Sequence, residues 1–133
     1  MKLNPDCIRD ILLTVEEKST YAGMVRLPDK KVERLKTYSE DEALYHLRQC
    51  DLSGYFYEAD SDLPGLYLIR DLTPKGHEFV GKVRDPKNWM IVKRGISAVR
   101  GYSLDVIRSI SEGVASAAIS SFVQSLNLGE LVQ

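Results

Sequence analysis

Apolar residues recur along the chain at two spacings, and each change of spacing marks an element boundary. Asn4-Pro5 is a cap followed by proline at a first helical position. Ile8, Ile11, Leu12 and Val15 then fall at i, i+3, i+4 and i+7, which predicts a helix with one core-seeking face, ending at Glu16-Glu17-Lys18. Gly23 marks a loop. Asp29 is placed to cap a short second helix, with Val32 and Leu35 inward. Thr37-Tyr38-Ser39 reads as a turn, and Ser39 with Glu42 forms a capping box for a third helix. Ala43, Leu44, Leu47 and Cys50 are its inner face. Gly54 breaks the chain before two strands, Tyr55 to Ala59 and Leu66 to Asp71. The segment between them, "DSDLPG" from Asp60 to Gly65, is turn chemistry. Thr73-Pro74 and Asp85-Pro86 each cap and open a further helix. Phe79, Val80 and Val83 line the first, and Trp89, Val92, Ile96 and Val99 the second. Gly101 stops that helix, and Ser103 caps a last one from Leu104 to about Leu126.

This order of helices, strand, loop, strand and helix predicts an α+β fold, a winged helix-turn-helix with a two-stranded wing and additional C-terminal helices. A winged-helix domain is expected over residues 1–85. A helical extension serving oligomerisation is expected over residues 86–133. The third helix takes the place of a recognition helix, and Asp60 to Gly65 the place of a wing tip. "YHLRQCDLSGYF" resembles the stretch that leads into the first wing strand of many winged-helix regulators. "LTPKGHEF" resembles the leucine-threonine-x-x-glycine phrase after their wing, with Gly76 allowing close packing. On a larger scale, "MKLNPDCIRDILL", "YSEDEALYHLRQCDLSGYF" and "IRDLTPKGHEFVGKVRD" resemble a family of short phage and prophage proteins, a domain of unknown function. The resemblance extends through "SLDVI" near Ser103. It implies a phage or prophage origin and a winged-helix body, and it supplies no activity and no catalytic residues. Residues 113–133 match it least, so their role rests on the residues themselves.

Composition narrows the function. With 133 residues, 44% apolar and 28% charged, the chain is globular and has room for one core. A net charge of −1 excludes bulk attraction to nucleic acid. Cys7 and Cys50 lack metal-ligand or redox spacing and read as small buried thiols. Asp6 and Asp10 interrupt any leader-like apolar run, and no window holds 18 consecutive apolar residues. A cytoplasmic protein without a membrane partner is expected. His46 and His77 lie apart with no ligand partner at spacing, Ser39 and Thr73 are explained as caps, and there is no P-loop or GxGxxG. Neither an enzyme, nor a cofactor, nor a metal is implied.

Charge is distributed unevenly. From Ser39 to Asp62, seven acids (Glu40, Asp41, Glu42, Asp51, Glu58, Asp60, Asp62) face one base, Arg48, a net of −6 that leaves +5 for the remainder. Acids at a helix start interact favourably with its dipole, for roughly 0.3–1 kcal/mol each, and need no ligand. Yet a reading helix meets phosphates near this end, where acids repel them. Glu40, Asp41, Glu42, Tyr45, Arg48 and Gln49 are therefore the candidate face for a host or phage protein. The alternative is a DNA-binding regulator using a basic flank of Lys30, Lys31, Arg34 and Arg48. A further basic stretch runs from Lys75 to Arg100, read as either a solvated face or a phosphate-binding flank. Leu104, Ile107, Val114, Ala118 and Phe122 line one broad side of the last helix, among small residues. They are the candidate contacts of a homo-oligomer, a dimer or larger.

Overall fold

The computed structural model describes residues 1–99 and 101–132, with residues 127–132 as backbone only. The chain runs α1 (Pro5–Lys18), β1 (Val25–Leu27), a 3-10 turn (Glu33–Leu35), α2 (Glu40–Leu52), β2 (Phe56–Asp60), β3 (Tyr67–Leu72), α3 (Pro74–Val83), α4 (Pro86–Ser97) and α5 (Leu104–Val132). The fold is α+β. Its antiparallel sheet has the order β1-β3-β2, with Val25 opposite Ile69 and Phe56 opposite Leu72.

The helix starts are made by the residues expected to make them. Side-chain oxygens of Asn4, Ser39, Thr73, Asp85 and Ser103 each accept a backbone N–H of the first turn that follows, at 2.7 to 3.3 Å. Such bonds satisfy amides that a helix start leaves without partners. The apolar stripes then close on one core. Ile8, Ile11, Leu12 and Val15 of α1 meet Leu47 and Cys50 of α2, Ile69 of β3 and Phe79, Val80 and Val83 of α3. Trp89, Val92, Ile96, Leu104 and Ile107 belong to the same cluster, so the core does not break at residue 85. The Trp89 indole N–H also donates to Asp6 Oδ1 at 2.8 Å, tying α4 to the start of α1.

Three local expectations are corrected. The second helix is only the 3-10 turn. Asp29 Oδ1 accepts the Lys31 N–H at 2.9 Å, two residues on, which holds an Asx turn rather than a helix start. Val32 and Leu35 are nonetheless buried, as their spacing required. β1 is a strand that periodicity did not announce. Val99 lies beyond the end of α4 and is exposed rather than inward.

Candidate functional site

Helix α2 stands between the core and an open face. On its inner side His46 is fully buried, and the hydrogen bonds fix its tautomer. Nε2 accepts the Asn4 N–H at 2.7 Å, so Nδ1 carries the proton and donates to the Glu42 carbonyl at 2.7 Å. This imidazole fastens α2 to the cap of α1 and is spent structurally. The cap hydroxyls of Ser39 and Thr73 are spent likewise. Ser39 holds the Glu42 N–H, and Thr73 Oγ1 donates to the Gly54 carbonyl at 2.6 Å while accepting from Gly76. Burial pushes the Cys7 thiol up to about 12 and raises Cys50 as well, so both remain protonated at neutral pH. His77 is half-exposed, 3.5 Å from Asp71.

The outer side of α2 forms one wall of a groove of about 480 Å³, with Asp41, Tyr45 and Arg48 on that wall. The Arg48 guanidinium lies 5.8 Å from the Tyr45 ring centroid, a cation–π distance. The opposite wall is the β2–β3 loop, with Leu63, Pro64 and Gly65. This loop is folded back by Asp60, whose Oδ1 accepts the Asp62 N–H at 2.8 Å. A second groove, of about 470 Å³, flanks the other side of the α2 start and has Lys30, Leu35, Tyr38 and Glu40 on its walls. The two grooves meet at Gly65, where an added Cβ would stand 3.1 Å from Glu40 Oε1.

The structure thus brings Asp41, Tyr45 and Arg48 to one groove and Glu40 to its border. Glu42 and Gln49 are half-buried. Ion pairing then separates the two charge sets. Arg34 is held by Glu17 at 2.8 Å, Lys36 by Glu33 at 2.8 Å, and Glu58 by Arg70 at 2.6 Å. Among the described residues Glu40, Asp41, Asp60 and Asp62 enter no ion pair, and neither do Lys30, Lys31 and Arg48. In the later basic stretch, Lys82 pairs with Glu78 and Glu112, Arg84 with Glu16, and Lys93 with Asp6. Arg100 lies outside the described residues. Of the α5 candidates, Leu104 and Ile107 are buried in the chain's own core and cannot meet another subunit. Val114 packs against that core, while Ala118 and Phe122 are exposed.

Sequence reasoning missed the loop wall of Leu63, Pro64 and Gly65 and the role of His46. An apolar Leu-Pro inside an acidic turn was the available signal for the former.

Over residues 2–103 the chain matches the family described as hypothetical protein (DUF2513). The chain belongs to this family. The match spans every element through α4 and stops where α5 begins. A protein of Haemophilus influenzae, described as "Uncharacterized protein", is 32% identical over 123 residues, which cover 90% of this chain and 100% of that protein. No solved structure matches the chain.

Proposed function

We propose that this DUF2513 chain is a non-enzymatic winged-helix binding protein of phage or prophage kind, acting in the bacterial cytoplasm. It engages a basic segment of a host or phage protein through the face of α2 and the β2–β3 loop. The observation that carries this is the set of carboxylates in no ion pair, Asp41 in the groove wall, Glu40 at its border and Asp60 and Asp62 beyond it, against one cation, Arg48, beside Tyr45 and Leu63. An incoming lysine or arginine finds free acceptors there, and its stem finds Tyr45 and Leu63. The winged-helix assignment is supported by the order helix, strand, turn, helix, strand, loop, strand and by the β1-β3-β2 sheet. Arg34, expected on a DNA-reading flank, is already committed to Glu17. The net −6 of the segment from Ser39 to Asp62 weighs further towards a protein partner than DNA.

The test is fluorescence anisotropy with two probes, a lysine- and arginine-rich peptide containing leucine and a mixed-sequence DNA duplex. It is run at roughly 50 and 200 mM salt, the range over which phosphate contacts reveal themselves. The expected result is peptide binding that is lost when Glu40 and Asp41 are changed to Lys, with no binding of the duplex. The reversal omits Glu42 because that side chain is half-buried at the cap. Duplex binding that collapses as salt rises, and that strengthens on the same reversal, would overturn the proposal in favour of a DNA-binding regulator using Lys30, Lys31 and Arg48.

A further inference from the structure

Helix α5 is two different surfaces in one rod. Leu104, Ile107 and Ser111 are buried and Val114 packs on the core, whereas every residue from Ser116 to Leu126 is exposed. A helix with no tertiary packing is marginal in water. In the projecting part Ala115, Ile119, Phe122 and Leu126 step by four, three and four residues, with Val123 alongside. Alternating steps of three and four make the a/d seam of a coiled coil. Ile119, Phe122, Leu126 and Val123 are 64%, 63%, 54% and 47% exposed.

The seam is rotated from the core-facing stripe and overlaps only its edge, where Phe122 falls in line with the buried Leu104. At about 3.6 residues per turn it centres on the side held in the first half by Arg108, about a quarter turn from the side of Ile107 and Val114. We propose that this seam is the interface between two copies of the chain, each presenting Ile119, Phe122, Val123 and Leu126 to the other.

Three observations select a second copy as the occupant. The spacing is self-complementary, as a twofold contact requires. No charged residue lies between Gly113 and Gly129, so identical seams do not repel, and a partner recognised by charge would find no complement. The large side chains of the seam expose apolar surface on the order of a few hundred Å², the scale at which patches mark association. A membrane is the competing occupant, since Leu104–Leu126 is long and apolar enough to cross one by length and composition. That apolar length was not apparent from uninterrupted runs, because serines punctuate it. But the first half of the helix is committed to the core. The projecting Ala115 to Val132 reaches about 27 Å, so crossing a hydrocarbon core of roughly 30 Å would take all of it, the charged Glu130 included. Ser120 and Gln124 lie on the side opposite the seam.

Sedimentation equilibrium of the full chain tests this, with circular dichroism as the check on helicity. The expected wild-type mass is twice that of one chain. Ile119→Glu and Phe122→Glu should each halve it, with helicity falling by no more than the projecting part of α5 supplies, and Gln124→Glu, the same charge on the opposite side, should leave it doubled. A monomeric wild type, or a Phe122→Glu chain that stays dimeric, would overturn the proposal. So would flotation of the wild type with phosphatidylglycerol–phosphatidylcholine vesicles that Phe122→Glu abolishes, which would assign the seam to lipid. Changing Glu40 and Asp41 to Lys should leave the mass unaltered, which keeps this interface separable from the groove.

Discussion

A Cβ on Gly76 would stand 2.5 Å from the Tyr55 carbonyl oxygen and 3.2 Å from Leu72 Cβ. Five residues further along α3, a Cβ on Gly81 would meet nothing within 4 Å. The two glycines therefore predict opposite signs in one helix. Gly76→Ala must force α3 away from the backbone that leads into β2, and overpacking of this kind costs about 1–3 kcal/mol. Gly81→Ala removes an exposed helical glycine and should stabilise by about 0.8–1 kcal/mol. Urea unfolding midpoints check both. Asp10 makes a second residue-scale prediction. Burial raises its carboxyl above the ordinary range, and the Tyr38 hydroxyl that donates to it at 2.7 Å offsets this only in part, as do Arg9 and Arg34. The folded state thus holds this proton more tightly than the unfolded chain does. Asp10's contribution is fully present below the ordinary carboxylate value and is lost as pH rises through the raised one. Asp10→Asn keeps an acceptor for Tyr38 without the charge. Wild-type stability measured against this variant should fall across that interval. A difference that rises with pH would contradict the account. Glu58 and Glu78, held low by Arg70 and Lys82 respectively, act in the opposite direction and cancel in the comparison.

Elements were legible where their determinants are local. The cap residues and apolar stripes of α1, α2, α3 and α4 depend on neighbours within a few positions, and they stand where the spacing put them, Val99 apart. Both longer strands appear one residue later than expected, at Phe56–Asp60 and Tyr67–Leu72. β1 was illegible for a physical reason. Three residues, Val25 to Leu27, cannot display alternation, and their strand character comes from pairing with β3 some forty residues away. Asp29 misled because a side chain that bonds its own following backbone caps a helix in one context and holds a turn in another. The groove follows the same division. Glu40, Asp41, Tyr45 and Arg48 could be placed on the outer face of α2 by periodicity, but Leu63 and Pro64 reach them only through the packing of the β2–β3 loop. The ion pair of Arg34 with Glu17 was out of reach in the same way, since no local rule joins residues 17 positions apart.

At the scale of the molecule, the division that matters falls within α5 rather than at residue 85. Every buried side chain described lies between Cys7 and Ser111, and Trp89, Val92 and Ile96 join the same core as α1 and the sheet. The family match ends at residue 103, close to the start of α5. The projecting half contributes no core contact, so its loss should leave the folded monomer almost intact. A chain ending at Val114 is expected to unfold cooperatively, with a free energy within about 1 kcal/mol of the full-length monomer, since changes away from packed features are small. Concentration should separate the two chains. If the seam joins copies, the full-length melting temperature rises with protein concentration, because association stabilises the folded state by mass action. The truncated chain's should not move. Calorimetry over a range of concentrations measures both effects. Loss of the cooperative transition on truncation would mean that the distal helix holds the domain together, and a second copy would no longer be needed to explain its apolar seam.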